Sequence, residues 1–339
     1  MPELPSRSEP AAGPATAVTV EAPARLHFGF LDLHGGLGRR FGSIGLAIDA
    51  PALRLTAEPA PAPEPCAEGP EAERVLGYIR AAAAHLGVGA GVRIRVAEAI
   101  PAHAGFGSGT QLALAVAAGL ARLHGRPFAP EDFSNALDRG NRSGVGLRAF
   151  TEGGLIVDGG RDATGAPPPV VARLPYPEAW RVVLVLDAGM TGVHGAREVE
   201  AFRDLPRFPE AQAAEICRIV LMQVLPAAVT AEPEAFGAGI TTIQRLVGDH
   251  FAPHQGGRFA SPAVARALAR VAEAGVAGYG QSSWGPTGFA LVPSEGQARA
   301  LVADLEAALP GAGLRYIVAR GRNTGATVTG GEGPAPLRA

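Results

Sequence analysis

The order of hydrophobic and polar positions along the first half of the chain predicts alternating strands and helices. Period-two patterns and short apolar runs predict strands that start at residue 16 and recur at residues 44–49, 53–57, 92–96 and 155–158. Apolar residues at helical spacing predict helices at residues 71–86, 113–124 and 130–137. Proline and alanine dominate residues 58–70, which we therefore predict to form a flexible loop.

The second half repeats this mixture after a proline-rich break. Proline-rich segments at residues 167–169 and 175–177 flank a short predicted strand and mark the predicted domain boundary. A continuous apolar run then predicts a buried strand at residues 180–187, and the next segment should carry His194 and Glu198 into a helix. Further helices are predicted at residues 211–225, 233–247, 262–274 and 297–309, with a hairpin at 277–292 and a strand at 314–318. This mixture predicts an α+β fold in two layers.

Chain length predicts two domains that share a cleft, because 339 residues exceed what one small core requires. We place an N-terminal domain at residues 16–178 and a C-terminal domain at residues 179–330. A disordered tail is predicted at residues 1–15, which do not resemble a signal peptide, and a second tail at residues 331–339.

Composition narrows the range of partners and compartments. The net charge of −2 comes without a basic stripe, which argues against a nucleic-acid partner. The apolar runs fall short of the roughly 18 residues that span a bilayer, so no membrane partner is expected. Cys66 and Cys217 lack metal-ligand spacing, which indicates free thiols in a cytoplasmic protein.

One residue type is missing from the chain. All 30 residues of the combined lysine and arginine count are arginines, so the chain has no lysine. This excludes both a phosphate-loop lysine and a lysine that forms a Schiff base.

A glycine-rich segment at residues 100–115 runs directly into an apolar helical pattern. Gly105, Gly107 and Gly109 would let the backbone approach a ligand closely. The hydroxyls of Ser108 and Thr110, together with the first N–H groups of the helix, would supply hydrogen-bond donors. The helix dipole favours phosphate or pyrophosphate at such a place. The alternative is a strand-to-helix turn that requires only small residues.

Arginine and histidine are concentrated in two other segments. Arg25, His27, Asp32 and His34 lie within ten residues around the first predicted strand, where they either form a functional face or a solvated polar face over an apolar one. Arg139 and Arg142 precede a Ser-Gly-Val-Gly turn at residues 143–146. Arginines beside such a turn suit phosphate or carboxylate, and the alternative is a pair of solvated loop charges.

The predicted hairpin turn carries the last group of functional side chains. Gln281, Ser282 and Ser283 offer hydrogen-bonding groups, and Trp284 offers a flat apolar surface. Trp284 either stacks on a ligand ring or belongs to the core.

Together these motifs resemble the GHMP kinase superfamily, which includes galactose, homoserine, mevalonate and phosphomevalonate kinases. More narrowly, ARLHFGFLDL, GSGTQ, NRSGVG, EGGLIVDGG and GQSSWGPT resemble the β-ribofuranosylaminobenzene 5′-phosphate synthase family, roughly over residues 18–328. The resemblance implies a GHMP-kinase-like two-domain fold. Its N-terminal β-α domain would carry the glycine-rich phosphate loop, and its C-terminal domain would be a ferredoxin-like α/β sandwich.

The resemblance also implies a reaction. Members of this family join phosphoribosyl pyrophosphate to 4-aminobenzoate or 4-hydroxybenzoate and release pyrophosphate and CO2, in the biosynthesis of methanopterin-type coenzymes. Mg2+ would assist the pyrophosphate, and no organic cofactor is implied. Sequence does not choose between the two benzoates.

One departure from the kinase pattern bears on this reaction. Many superfamily kinases place a catalytic aspartate at the fourth position of an SG-x-D turn, where this chain has Gly146. Glycine cannot act as a base, so phosphate binding is retained while kinase chemistry becomes doubtful. A GHMP-type small-molecule kinase and a catalytically inactive ligand-binding module stay open as alternatives.

The implied reaction assigns roles to the residues singled out above. His27, Asp32 or His103 would take the proton from the para group of the benzoate or help to hold Mg2+, whose ligands are not assigned. Arg25, Arg139 and Arg142 would bind the carboxylate and the 5′-phosphate. The remaining predicted substrate contacts are Gly105, Gly107, Ser108, Gly109, Thr110, Gln111, Ser143, Gln281, Ser282, Ser283 and Trp284. A homodimer is expected on base rates.

Overall fold

The computed structural model describes residues 17–137, 142–192 and 195–331, apart from the side chains of residues 196, 197 and 199. The predicted tail at residues 1–15 lies outside the described residues, as does the tail at 331–339 beyond Gly331. Arg139 and His194, which the sequence singles out, lie outside them as well.

The first half of the chain alternates strands and helices. In chain order its elements are β1 (Val18–Asp32), β2 (Arg39–Pro59), β3 (Cys66–Glu68), α1 (Ala72–Leu86), β4 (Val92–Glu98), α2 (Ser108–Leu123), α3 (Pro130–Ala136), α4 (Val145–Thr151), β5 (Leu155–Asp158), β6 (Arg161–Asp162) and β7 (Val170–Leu174).

The second half begins with a buried strand and is rich in helix. Its elements are β8 (Arg181–Asp187), α5 (Ala196–Asp204), α6 (Glu210–Ile219), a π-helical turn (Val220–Val224), α7 (Leu225–Thr230), α8 (Pro233–Gln255), α9 (Pro262–Glu273), β9 (Gly278–Gln281), β10 (Gly288–Val292), α10 (Glu295–Ala308), β11 (Leu314–Ala319) and β12 (Thr327–Gly330).

The long antiparallel pair of β1 and β2 organises the first sheet, whose main path is β12-β1-β2-β4-β3. The other end of β2 pairs with β5 and β6, and β5 continues to β7. Helix α2 packs against β1 and β2, and residues 111–121 of this helix are all buried. This burial explains why the helix is apolar on every side.

The second sheet has the strand order β11-β8-β10-β9 and is antiparallel throughout. On one face, Val183 and Val185 pack with residues of α9 and α10. On the other face, Leu184 and Phe289 join the large core that also contains Phe236 of α8. Because β8 is covered on both faces, its sequence is a continuous apolar run rather than an alternating one. This helix-covered sheet and the first sheet confirm the predicted α+β fold.

Several predicted boundaries are wrong in instructive ways. The predicted strands at residues 44–49 and 53–57 are parts of the single strand β2, because the pairing passes Pro51 through an irregularity in the register with β1. The predicted loop at 58–70 contains the short strand β3, which pairs with β4. The helix predicted from residue 113 begins at Ser108, directly after Gly107 in the left-handed region (φ 74°). The sequence did not predict α4 or β12.

The two halves are in close contact. Gln244 of α8 donates to the carbonyl of Phe28, and a Cβ at Gly29 would lie 2.6 Å from Ile243 Cγ2. The closing strand β12 returns to pair with β1, from Val18 opposite Gly330 to Glu21 opposite Thr327. The division at residue 178 stays a prediction, but residues 327–330 belong to the first sheet.

One helical stretch among the described residues is long and apolar enough to cross a membrane by length and composition alone. It is Glu210–Thr230, with a mean hydropathy of 1.5 in a window of which 33% is buried inside the fold. Core helices of soluble proteins meet the same criterion, so this stretch is weak evidence for a membrane span.

Candidate active site

Three segments meet at the beginning of α2: the glycine loop that follows β4, the strand β1 and the turn between β9 and β10. Arg25 N–H donates to the carbonyl of Phe106 at 3.1 Å, which joins β1 to the loop. Ser282 Oγ donates to the carbonyl of Gly105 at 2.7 Å and accepts from His27 N–H at 3.0 Å. The side chain of Ser282 therefore connects all three segments.

The start of α2 leaves backbone donors available. The carbonyl of Gly107 accepts from Thr110 N–H at 3.1 Å and from Gln111 N–H at 3.2 Å. No side chain caps this end and the first turn carries no acidic residue. The N–H groups of Ser108 and Gly109 consequently have no partner within the helix. Such an end, with the helix dipole behind it, favours an anion.

Arg25 adds a positive charge to the same place. Its side chain donates to the carbonyl of Gly105, and a Cβ at Gly107 would lie 3.0 Å from its Nε. This Nε is buried and has no hydrogen-bond partner among the residues that the structure describes. Burial lowers the pKa of Arg25 to about 10, while the nearby carboxylate of Glu198 opposes this effect. Arg25 therefore stays charged at neutral pH.

Arg142 lies on the other side of this region and is held by α5. Its Nη1 is 3.1 Å from a carboxylate oxygen of Glu198. Its guanidinium lies 4.7 Å from the centre of the Phe202 ring. Glu198 thus acts on both Arg25 and Arg142, and it occupies a place where a substrate carboxylate would be attracted.

An aromatic cluster lies beside these charges. The ring centre of Trp284 is 4.4 Å from that of Phe251 and 5.5 Å from that of Phe202. Trp284 is only 4% exposed, and its Nε1 has no partner within the described part of the chain. The side chain predicted to stack on a ligand ring is therefore already packed between protein rings, and its N–H edge is the part without a partner.

His27 is a buried, neutral imidazole. Burial and, to a smaller extent, the positive charges of Arg25 and Arg142 lower its pKa to about 3. The ring packs edge-on against Phe30 at 4.7 Å, and Nε2 is buried without a partner among the described residues. An imidazole of such low pKa is uncharged at neutral pH and is a weak proton acceptor.

The Ser-Gly-Val-Gly turn is fixed by a residue that the sequence analysis missed. Asp158 at the end of β5 accepts from Gly144 N–H at 2.9 Å and from Gly160 N–H at 3.0 Å. Burial raises the pKa of Asp158 to about 6, although these hydrogen bonds favour the charged form. The only sequence signal was its place between a buried strand and two glycines.

This turn faces the start of α2. Gln111 donates to the carbonyl of Gly146 at 2.7 Å, and a Cβ at Gly146 would lie 3.6 Å from Thr110 Cγ2. Ser143 Oγ accepts from Val145 N–H at 3.2 Å. The position where superfamily kinases carry an aspartate is therefore next to the predicted anion site, and it has room for a side chain.

Asp32 and His103, the other two predicted catalytic residues, do not share the buried position of His27. Asp32 lies seven residues beyond Arg25 along β1, about 23 Å at the usual rise of a strand. One of its carboxylate oxygens accepts from the N–H groups of His34 (2.7 Å) and Gly35 (2.8 Å). His103 is exposed in the glycine loop with φ 55°, and its carbonyl accepts from Gly192 N–H at 2.9 Å. The structure thus does not bring Asp32 against the arginines.

Gln281 and Ser282 hold the site together. Gln281 Oε1 accepts from Ala260 N–H at 2.7 Å, and its Nε2 lies within 3.2 Å of Gln255 Oε1 and 3.1 Å of the carbonyl of Ser283. With these bonds the amide of Gln281 is satisfied by protein, as is the hydroxyl of Ser282. Their predicted role as substrate contacts stays a prediction, whereas their role in joining the hairpin turn to its neighbours follows from these contacts.

The described residues form no group of three or more histidine, cysteine or acidic side chains that could hold a metal ion. Near the start of α2 they offer the hydroxyls of Ser108 and Thr110, and Glu198 is paired with Arg142. Because Mg2+ favours carboxylates together with substrate phosphates and water, these residues do not make a protein-held magnesium site by themselves.

Residues 73–153 match the GHMP kinases N terminal domain, and residues 224–311 match the GHMP kinases C terminal domain. The chain is 32% identical over 328 residues to beta-ribofuranosylphenol 5'-phosphate synthase of Methanothermobacter thermautotrophicus, which covers 91% of this chain and 97% of the relative. It is also 32% identical over 259 residues to the protein of that name from Archaeoglobus fulgidus, covering 67% of this chain and 75% of the relative.

Solved structures of kinases share the fold at low identity. Phosphomevalonate kinase from Streptococcus pneumoniae gives a TM-score of 0.67 at 12% identity, covering 90% of this chain and 99% of that structure. Homoserine kinase from Cytophaga hutchinsonii gives a TM-score of 0.62 at 16% identity, covering 96% of this chain and 100% of that structure.

Proposed function

We propose that this chain, which belongs to the beta-ribofuranosylphenol 5'-phosphate synthase family of the GHMP kinase superfamily, joins phosphoribosyl pyrophosphate to 4-hydroxybenzoate or 4-aminobenzoate with release of CO2 and pyrophosphate. The observation that carries this proposal is the pairing of an uncapped helix start and a buried arginine with Gly146 in the adjacent turn. The start of α2 is suited to an anion, and the neighbouring turn has glycine at the position of the kinase aspartate.

The pyrophosphate group is assigned to the glycine loop. The N–H groups of Ser108 and Gly109 donate to its oxygens, and Arg25 faces the same place across Gly107. The fixed donors and the positive charge stabilise the negative charge that develops as the bond between ribose C1 and the pyrophosphate oxygen breaks. Arg25 thereby promotes departure of the leaving group.

The benzoate is assigned to the side of Arg142 and the aromatic cluster. Arg142 binds the carboxylate, for which it exchanges its contact with Glu198. Phe202 and Trp284 provide an apolar wall beside the benzoate ring. A carboxylate held by one arginine through two hydrogen bonds is oriented as well as bound.

In this reaction the ring carbon that bears the carboxylate forms a bond to ribose C1 while pyrophosphate leaves with the electron pair of the C1–O bond. The para hydroxyl or amine donates electrons into the ring and makes this attack feasible. The bond to the carboxylate carbon then breaks, CO2 departs, and its bonding electrons restore the aromatic ring. A proton that leaves the para group during attack returns to it, so the balance needs no net proton transfer.

The predicted roles of His27, Asp32 and His103 in that transient proton transfer remain proposals. Mg2+ also remains a proposal: bound together with pyrophosphate, it would neutralise charge on the leaving group. No step above depends on it. We further propose a place in tetrahydromethanopterin biosynthesis, a cytoplasmic location and a homodimer, as the family resemblance and base rates imply.

Purified protein should be incubated with Mg2+, phosphoribosyl pyrophosphate and carboxyl-labelled 4-hydroxybenzoate or 4-aminobenzoate. We expect labelled CO2 and pyrophosphate in equal amounts. A parallel incubation with ATP and a panel of small alcohols tests the kinase alternative. The solved kinase structures support this alternative only through their shared fold, because their sequence identity to this chain is low. Phosphate transfer from ATP without release of CO2 would refute the proposed function, and inactivity in both incubations would favour a ligand-binding module.

A further inference from the structure

Two buried nitrogen atoms lack partners next to one small cavity. The cavity lies between β1, α8 and the hairpin turn, and His27, Gln281, Ser283 and Trp284 line part of it. His27 Nε2 and Trp284 Nε1 are both buried, and neither has a hydrogen-bond partner among residues 17–137, 142–192 and 195–331. A buried polar group without a hydrogen-bond partner is unfavourable, so a ligand or water that pairs with these nitrogens is favoured.

The size of the cavity limits what can enter it. Its volume is about 20 Å³, which accommodates one oxygen-sized group. An aromatic ring is too large for this space, but a substituent at the end of a ring fits. The cavity is therefore suited to the tip of a ligand whose ring lies outside it.

The hydrogen-bonding capacity of the two nitrogens determines which ring substituent can pair with both. Trp284 Nε1 can only donate a hydrogen bond, and a neutral histidine has one nitrogen that can accept. His27 stays neutral at physiological pH because burial and two nearby arginines lower its pKa to about 3. A phenolic hydroxyl accepts from one partner and donates to the other. An arylamine donates well, but its lone pair is delocalised into the ring, so it leaves Trp284 unpaired.

The cavity is linked to the arginine assigned to the acceptor carboxylate through one aromatic residue. Phe202 lies 4.7 Å from the guanidinium of Arg142 and 5.5 Å from the ring of Trp284, which lines the cavity. In 4-hydroxybenzoate the carboxylate and the hydroxyl are at opposite ends of one ring.

We propose that His27 and Trp284 bind the para hydroxyl of the acceptor in this cavity and are the side chains that discriminate between 4-hydroxybenzoate and 4-aminobenzoate. This inference rests on the proposed function, because it assigns one end of the acceptor in that reaction. The printed name of the relatives, which specifies a phenol, agrees with it.

The test replaces the donor and keeps an aromatic ring. Trp284→Phe should lower the ratio of kcat/KM for 4-hydroxybenzoate to that for 4-aminobenzoate by roughly ten- to a hundredfold, with KM for phosphoribosyl pyrophosphate nearly unchanged. Trp180→Phe is the matched control, because Trp180 is also buried but packs against Tyr176 and Phe236. It should leave the ratio as in the wild type.

Binding of both benzoates in the presence of pyrophosphate, followed by calorimetry, separates this inference from the reaction. A preference for 4-hydroxybenzoate that Trp284→Phe removes supports the site even if no CO2 is released. If both benzoates are turned over and Trp284→Phe does not change the ratio of their kcat/KM values, the assignment of the site is overturned while the proposed function stands. If the variant does not fold, wild-type protein that binds 4-methoxybenzoate as well as 4-hydroxybenzoate overturns it, because a methoxy group exceeds the cavity and donates no hydrogen bond.

Discussion

Gly107→Ala is the sharpest test of the anion site, because the added methyl group meets the buried arginine. Gly107 has φ 74°, and a Cβ there would lie 3.0 Å from Arg25 Nε and 3.2 Å from its Cγ. The side chain of Arg25 must therefore shift by a few tenths of an ångström, although it is buried and donates to the carbonyl of Gly105. The left-handed backbone adds a cost of roughly 1–2 kcal/mol to folding.

Displacement of Arg25 would weaken the proposed charge-assisted contact to pyrophosphate, and such a contact is worth about 1.5–3 kcal/mol. We therefore expect KM for phosphoribosyl pyrophosphate to rise roughly ten- to a hundredfold. Gly125→Ala is the matched control at the other end of α2. Gly125 has φ 59°, but a Cβ there meets nothing within 4 Å. It should lose similar stability and keep its substrate affinity.

Urea denaturation measures the first effect, and initial-rate kinetics with varied phosphoribosyl pyrophosphate measure the second. Both variants should show comparable losses in the free energy of unfolding, while only Gly107→Ala should show the rise in KM. Wild-type KM in Gly107→Ala, or an equal rise in Gly125→Ala, would refute the assignment of the loop. The bulkier Gly107→Val should abolish turnover.

Three further predictions address other parts of the site. Arg142→Met should raise KM for the benzoate roughly ten- to a hundredfold and leave that for phosphoribosyl pyrophosphate nearly unchanged in initial-rate kinetics; the reverse pattern would move Arg142 to the phosphate site. Asp158→Asn should cost about 1–3 kcal/mol in urea denaturation, because an amide NH2 cannot accept a backbone N–H, whereas Asp162→Asn on the surface should cost less than about 1 kcal/mol. Since the pKa of His27 is lowered from 6.5 to about 3, the unfolded chain binds a proton below pH 6.5 that the folded protein does not. Acidification from pH 7 to pH 5 should therefore destabilise the wild type by about 2 kcal/mol more than His27→Leu; equal slopes in pH-dependent denaturation would contradict this.

Sequence predicted elements well where one local signal dominates. The apolar run of β8 and the glycine loop before α2 follow from periodicity and glycine spacing, and the structure has both. Helix α2 was predicted to begin too late, because Thr110 and Gln111 look polar although Gln111 is fully buried. The four residues of β12 carry too short a pattern to predict, since their pairing with β1 depends on a partner about 300 positions away.

The same distinction between local and long-range signals applies to the residues of the candidate site. Arg25, His27 and Ser282 come together because β1, the loop and the hairpin turn are joined by hydrogen bonds between residues far apart in sequence. Asp158 and Glu198 were missed as site residues, because an acidic side chain at the end of a strand or in a helix usually faces water. Their importance is visible only in the buried N–H groups and the arginine that they contact.

Kinase and synthase chemistry can share the predicted phosphate site and differ in the residue at position 146. In the proposed function, the helix start, Gly107 and Arg25 would bind a phosphate group through backbone donors and charge, and none of them requires an acid at position 146. Loss of that acid removes deprotonation of an alcohol but leaves the grip on a leaving group intact. An acceptor that attacks through an electron-rich ring carbon needs no such base, because CO2 rather than a proton leaves that carbon. Under the proposed function, this fold would therefore perform ribosyl rather than phosphoryl transfer without a carboxylate at position 146 and with an arginine for the acceptor, and Arg142 directly precedes the turn that contains Gly146.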